Sequence, residues 1–246
     1  MYLHASEPPG AMLVFLTGFE DIKGVNEALA QCTATGRFEH ATVIPLHGSM
    51  PTAHQRIIFD PAPNGTRKVV LATNIAETSI TIDDVTLVID TGLHKVMTYD
   101  TLNQIRSLSP TWVSRANAKQ RAGRAGRVAP GKCFRLFPEA LHAACDAFLA
   151  PAMRRTPLES LCLQIKSIGL GRARPFLARA MDPPDEAAVK QALGRLRAIG
   201  ALDDDEELTA LGRHVAQLPV DPAIGEESGV GGGRCGSGGF DVRARE

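Results

Sequence analysis

Apolar positions along the chain follow two rhythms. "MLVFL" (12 to 16) is a short apolar run, the pattern of a strand buried on both faces, and the largely apolar "KVVLAT" (68 to 73) and "VTLVID" (85 to 90) read as further buried strands. "TVIPLH" (42 to 47) is β-rich in the same way. Between them, "FEDIKGVNEALAQC" sets Ile22, Val25 and Leu29 at helical spacing, and "PTAHQRIIF" places Pro51 where a first helical turn begins. Buried strands alternating with amphipathic helices imply right-handed crossovers and a parallel sheet covered by helices on both faces. The prediction is an α/β layer domain over residues 1–150.

After "VIDTG" the rhythm changes. "HKVMTYD" and "IRSLSP" flank "TLNQ" as an antiparallel hairpin projecting from the sheet. "SRANAKQRAGRAGR" has a helix-compatible first half with Ser114 as N-cap, and "GKCFRLF" reads as a strand. Beyond Pro151 the strand signal stops. "PLESLCLQIKSIGL" places Leu158, Leu161, Ile165 and Ile168 on one helical face, and "DEAAVKQALGRLRAIGAL" does the same with Val189, Leu193 and Leu196. A third helix in "LTALGRHVAQL" follows the acidic, β-like "DDDEE". A winged-helix module and a generic helical bundle both fit residues 151–222. Residues 223–246 are Gly-rich, lack apolar periodicity and read as a flexible tail.

Composition adds limits. With 246 residues, 44% of them apolar, the chain can bury one full core and a second, smaller one. Its 5 cysteines form no C-x-x-C pair, which fits a reducing compartment and gives no support to a disulfide framework or zinc site. No stretch approaches the roughly 20 apolar residues of a membrane span, and "MYLHASEPPG" lacks the regions of a signal peptide. These point to a nuclear or cytoplasmic protein with no membrane partner. Formal net charge is zero, which argues against a uniformly basic nucleic-acid binder. Charge is instead focused: Arg115 to Arg135 contains 7 basic side chains and no acidic one.

That segment holds two readings of phosphate chemistry. Gly126 to Lys132 spells G-x-x-x-x-G-K, the glycine loop that wraps nucleotide phosphates, but Cys133 stands where Ser or Thr would meet magnesium. Such a loop must also run from a strand into a helix whose N-terminus faces the phosphates. Here a helix precedes the glycines and a strand follows the lysine, so this segment is not expected to hold a nucleotide. The second reading is a set of arginines, Arg121, Arg124 and Arg127, spaced to reach a phosphate held elsewhere.

"TNIAETSITIDDVTLVIDTG" (73 to 92), "QRAGRAGR" (120 to 127) and "LVFLTGFEDI" (13 to 22) resemble motifs V, VI and IV of the DEAH/DExH-box RNA helicases of superfamily two. "PLHGSM", "RIIFDPAP", "RTPLESLCLQIK", "MDPP" and "LTALGRHVAQLPVDP" follow in that family's order, so the resemblance spans residues 11–222. "SPTWVSRANAKQRAGRAGRV" is most similar to the branch acting on structured RNA and guanine quadruplexes. The resemblance implies the second of two RecA-like domains followed by a winged helix. In that family the P-loop and the D-E-A-H box, which hold ATP and Mg2+, lie on a first RecA-like domain; neither motif is in these 246 residues. The implied activity is ATP-dependent RNA unwinding or translocation, with this part supplying arginine fingers and part of an RNA channel. A protein activator is a further possible partner, and a non-catalytic RNA- or protein-binding module is the alternative.

Residue by residue, motif VI implies that Arg124 and Arg127 contact the γ-phosphate, that Gln120 helps position the attacking water, and that Arg121 assists in nucleotide binding. RNA-backbone or surface salt-bridge duty is the competing role for these arginines. Asp83 corresponds to a carboxylate accepting from a ribose hydroxyl, or else caps its loop. Phe59 corresponds to the aromatic that stacks on the base, or else closes the core. Thr17 and Gly18 of motif IV, and Thr73 and Asn74 of motif V, correspond to RNA-backbone contacts, which need amides and short hydroxyls more than base readout.

Overall fold

A computed structural model describes residues 2–217 apart from 37, 64, 79, 101–104 and 128. The chain divides into two compact units, one of residues 1–98 and 106–150, the other of 99–105 and the residues from 151 onward.

In the first unit a short helix α1 (Tyr2–Ser6) precedes β1 (Ala11–Phe15), α2 (Phe19–Ala34) and β2 (Ala41–Leu46). One turn of α-helix, α3 (Thr52–Gln55), runs into a 3-10 turn over Arg56–Phe59 and leads to β3 (Arg67–Ala72). Then come the four-residue helix α4 (Ile75–Thr78) and β4 (Val85–Asp90). Strands β5 (Leu93–Asp100) and β6 (Ile105–Trp112) pair with each other, and the short link between them makes the pair antiparallel. The turn "TLNQ" expected between them lies outside the described residues. Helix α5 (Arg115–Ala122), a 3-10 turn at Gly123–Gly126, β7 (Lys132–Arg135) and α6 (Glu139–Ala144) complete the unit.

Five strands form a sheet in the order β2-β3-β1-β4-β7, every neighbouring pair parallel. Side chains of successive strand residues alternate between two buried clusters. Leu13, Phe15, Val70, Ala72 and Val88 meet Ile58, Ala76, Ile82 and Ala125 on one face. Met12, Leu16, Val69, Leu71 and Leu87 meet Ile22 and Phe38 on the other, with Val25 and Leu29 of α2 alongside. Helical segments therefore cover both faces, as the apolar runs require. Ser114 caps α5, its Oγ accepting from the Asn117 amide at 3.1 Å.

The second unit holds α7 (Glu159–Ser167), α8 (Ala173–Leu177), α9 (Glu186–Ala198) and α10 (Ala210–Gln217) around one core. Val189, Leu193 and Leu196 are buried as their spacing predicts. The buried stripe of α7 differs from the predicted one. Leu158 and Ile165 are enclosed together with Cys162 and Leu163, whereas Ile168 is 69% exposed. Ile168 is the C-cap and Gly169 turns the chain at φ 75°, so the helix ends before the stripe would continue. Between α9 and α10 the chain doubles back through an antiparallel bridge of Leu202 with Leu208, and Asp203 Oδ1 accepts from the amides of Asp205 and Glu207 at 3.0 and 2.8 Å. The acidic "DDDEE" run is the turn of this small wing-like excursion. The Gly-rich tail and residues 218–222 lie outside the described residues.

Candidate nucleotide and RNA site

Because the strands are parallel, their two ends are chemically distinct. At the carboxyl ends of β1 and β3, which pair as Phe15 with Ala72, the chain leaves the sheet at Thr17–Gly18 and Thr73–Asn74. The Leu16 amide donates to Ala72 O at 2.8 Å and the Thr73 amide to Leu46 O at 3.2 Å. All four RNA candidates therefore gather on one edge. There the connections from β1 and from β3 depart to opposite sides, the position where open α/β sheets bind ligands. Thr17 and Thr73 are partly buried and Asn74 is exposed. Gly18 is buried, and a Cβ there would meet Lys95 Cε at 3.0 Å and Nζ at 3.1 Å. Lys95, on β5, thus adds a cation to this edge. Sequence reading missed it because 77 residues separate it from Gly18 and nothing local marks the contact.

From Asn74 the chain travels back along the sheet, through α4 and a loop that includes residues 80–84, to the start of β4. The arginines lie against this loop. Arg124 Nη1 donates to Ile80 O at 3.4 Å, and Arg127 Nη1 donates to Thr81 Oγ1 at 2.6 Å. Arg127 is exposed and Arg124 partly buried. Burial first, and then the charge of Arg127, push the Arg124 guanidinium below its ordinary value, with Glu77 acting in the opposite sense. Arg124 Nε is buried with no hydrogen-bond partner among the described residues. Two close guanidiniums, one with an unpaired N–H, form an electropositive spot that an anionic oxygen would satisfy. A triphosphate fits this donor set. Gln120 is exposed on the same segment.

At the amino ends of the strands, Asp83 is exposed. Its neighbour Asp84 pairs with the buried Lys68 at 2.9 Å. Lys68 Nζ also donates to Ile58 O at 2.7 Å and Asp60 O at 3.0 Å, holding the backbone on both sides of Phe59. Phe59 is 56% exposed while Ile58 beside it is fully buried, so the aromatic does not close the core. One buried ammonium thus anchors the neighbours of both residues expected to meet the nucleoside. This too was invisible in the sequence, where Lys68 simply opens a strand.

Arg121 does not occupy the place expected of a nucleotide ligand. It is fully buried, with Nε donating to Glu77 Oε2 at 3.1 Å and Nη1 to Asp90 Oδ1 at 2.8 Å and Leu93 O at 3.2 Å. Its guanidinium carbon lies 4.8 Å from the centre of the Phe15 ring. Glu77 and Asp90 are themselves 4% and 0% exposed. The Asn117 side-chain amide donates to Glu77 Oε1, and Ser114 Oγ donates to Asn117 Oδ1. Asp90 Oδ1 accepts from the Gly92 amide at 2.9 Å, at a turn whose φ of 79° suits glycine. The side chain faces inward, where two buried carboxylates need a cation.

The G-x-x-x-x-G-K segment has structural contacts of its own. A Cβ on Gly131 would lie 1.5 Å from Ala125 O, so this glycine permits close backbone packing. Lys132 Nζ pairs with Glu7 at 2.8 Å. Among the described residues no three His, Cys, Asp or Glu side chains gather where they could hold a metal ion, and no helix is long and apolar enough to cross a membrane.

A parallel sheet carrying a loop, an arginine set beside it and a polar edge at its carboxyl ends is the architecture of a RecA-like helicase domain. The helicase conserved C-terminal domain matches residues 1–129, and the winged-helix helicase associated domain (HA2) matches residues 192–220. The first match covers more than half of the chain, which belongs to this helicase family, in its DExH-box group. It is 52% identical over 220 residues to the DExH-box ATP-dependent RNA helicase DExH1 of Arabidopsis thaliana, covering 89% of this chain and 22% of that protein. It is 49% identical over 225 residues to the human ATP-dependent DNA/RNA helicase DHX36, covering 92% of this chain and 22% of that protein. Among solved structures, the Escherichia coli DEAH/RHA helicase HrpB superposes with a TM-score of 0.79 at 34% identity, over 92% of this chain and 28% of that one. The chain thus spans about a fifth of the length of these curated relatives.

Proposed function

We propose that this chain is the second RecA-like half, with its winged helix, of an ATP-dependent RNA helicase, and that it acts on a nucleotide held by a first RecA-like domain. What carries this reading is the placement of Arg124 and Arg127 against the loop that leads to Asp83, with an N–H of Arg124 unpaired. ATP with Mg2+ would supply the phosphoanhydride whose cleavage drives the motor. Arg124 and Arg127 stabilise negative charge on its terminal phosphate, Gln120 orients water, Asp83 accepts from the ribose, and Phe59 stacks on the base without hydrogen-bond selection among bases. Arg121 holds α5 in place from within. RNA runs across the edge formed by Thr17, Gly18, Thr73 and Asn74, with Lys95 as an added phosphate partner. The intracellular setting, nucleus or cytoplasm, follows from that substrate.

A second reading, a non-catalytic RNA- or protein-binding module, is favoured by the packing role of Gly131 and the ion pair of Lys132, which leave G-x-x-x-x-G-K without a phosphate-binding loop. A titration of labelled single-stranded RNA at two salt concentrations tests the first reading. Binding should be weak, insensitive to base sequence and steeply reduced by salt, and weaker still in Thr73→Ala plus Asn74→Ala. Affinity unchanged by that double substitution removes the motif V edge from the RNA site and leaves the protein-partner reading ahead. For hydrolysis, the purified chain alone should release no phosphate above a blank. In a longer protein carrying the first domain, Arg124→Ala should lower kcat by about 10³-fold or more with ATP affinity largely kept. An equal fall in affinity makes Arg124 a ground-state ligand instead.

A further inference from the structure

The RNA edge and the arginines occupy different parts of the domain, yet one buried network touches both. Helix α4 is a single turn whose amides at Ala76 and Glu77 donate back to Thr73 O and Asn74 O at 3.3 and 3.0 Å. Any displacement of the Thr73–Asn74 backbone therefore displaces Glu77. Glu77 is enclosed, and its carboxylate meets the Arg121 guanidinium at 3.1 Å and the Asn117 amide, both on α5. Arg121 follows Gln120 directly and stands one turn before Arg124. We propose that the Glu77–Arg121 ion pair is a relay through which RNA seated on Thr73 and Asn74 sets the position of Arg124 and Arg127. The inference rests on the helicase reading above and deepens it by naming the residues that couple its two sites.

The physical reason is the cost of separating charges away from water. A surface ion pair breaks and re-forms with solvent at little cost, so it transmits no displacement. A pair with both partners buried must move together, because parting leaves an uncompensated charge in the interior. The other anchor of Arg121 is built differently. Asp90 is fixed at the end of β4 in the sheet, and its Oδ1 already accepts from the Gly92 amide. Asp90 Oδ2 and Arg121 Nη2 are both buried with no hydrogen-bond partner among the described residues. The guanidinium therefore has one attachment to the sheet through Asp90, one attachment to the single turn α4 through Glu77, and an Nη2 donor that no partner among the described residues occupies. It can tilt about Asp90 as Glu77 moves without losing all of its partners. Asn117 supports the same motion, since its side chain joins Glu77 to the Ser114 cap and so to the start of α5.

Amide hydrogen exchange on the whole chain, with and without a single-stranded oligouridylate, tests the relay. In the unmodified protein RNA should slow exchange at 73–78 and also at 120–127. In Glu77→Gln, which keeps the side-chain shape but removes the charge, RNA should still slow 73–78 while the slowing at 120–127 is lost. Asp90→Asn, which weakens the same network but leaves Glu77 paired with Arg121, should keep both responses. A purely structural role for the network predicts equal behaviour of these two variants and overturns the proposal. So does slowing confined to 73–78 in the unmodified protein, a result that needs no variant to fold. If RNA slows neither segment, the relay falls together with the RNA reading of the motif V edge; slowing at 73–78 alone leaves that reading standing and removes only the relay.

Discussion

Replacing Arg121 by methionine removes a guanidinium that is fully buried and leaves Glu77 and Asp90, at 4% and 0% exposure, without their cation. Removing one partner of a buried ion pair costs about 3–5 kcal/mol. Two carboxylates lose a partner here, but neither loses all of them. Glu77 keeps the Asn117 amide, and Asp90 keeps the Gly92 amide at 2.9 Å. The methionine stem also retains part of the packing on the Phe15 ring, which the guanidinium carbon approaches to 4.8 Å. We therefore expect a loss near the middle of that range, about 4 kcal/mol. At about 2–4 °C per kcal/mol for a unit of this size, Tm should fall by roughly 8–16 °C. The protein provides its own probe, since its 1 tryptophan, Trp112, lies on β6 in the first unit, so intrinsic fluorescence follows that unit and not the helical one. Neutralising the whole set in Glu77→Gln, Asp90→Asn, Arg121→Met should recover more than half of the loss, because a buried network replaced in full leaves no isolated charge. A single variant within about 1 kcal/mol of the parent places the guanidinium in water. A triple variant no better than the single one makes the effect packing and not charge.

Two further outcomes follow from the same geometry. Gly131→Ala forces a methyl to within 1.5 Å of Ala125 O, so the backbone joining the arginine turn to β7 must move; a loss of about 1–3 kcal/mol in denaturant unfolding is expected, and an unchanged midpoint refutes the close approach. Burial pushes the Cys162 thiol up to about 12, with Glu159 and Glu206 adding to the shift. Its folded value lies above the unfolded one, so the stability it contributes is complete below the ordinary thiol range and is lost as pH rises toward about 12. Helical-unit unfolding should steepen across that window, and a thiol reagent at pH 8 should modify Cys162 only in denaturant; rapid labelling of the native chain at that site contradicts its burial.

The strands were legible because a strand buried on both faces needs apolar residues along most of its length, and the apolar centres of "KVVLAT" and "VTLVID" supply them. The order of elements around "QRAGRAGR", helix before and strand after, was equally legible, and it is the reverse of the strand-to-helix order that a phosphate loop needs. The ordered motifs pointed to the family. The roles of individual charged residues were not legible. Arg121, Arg124 and Arg127 share one spacing and one neighbourhood in sequence. Only tertiary structure separates the first, turned inward onto carboxylates 44 and 31 residues away, from the other two, which donate to Ile80 and Thr81 in the loop before β4. Lys68 and Lys95 gave no local signal for the same reason, since their partners come from other strands and loops. Ile168 was placed on the buried face of its helix by period alone, and lost that place because Gly169 ends the helix one residue too soon. Hydrophobic period is a local property that the chain carries in every conformation. The burial of a charge is decided by whether distant segments bring an opposite charge to meet it, and that is fixed only when the sheet has formed.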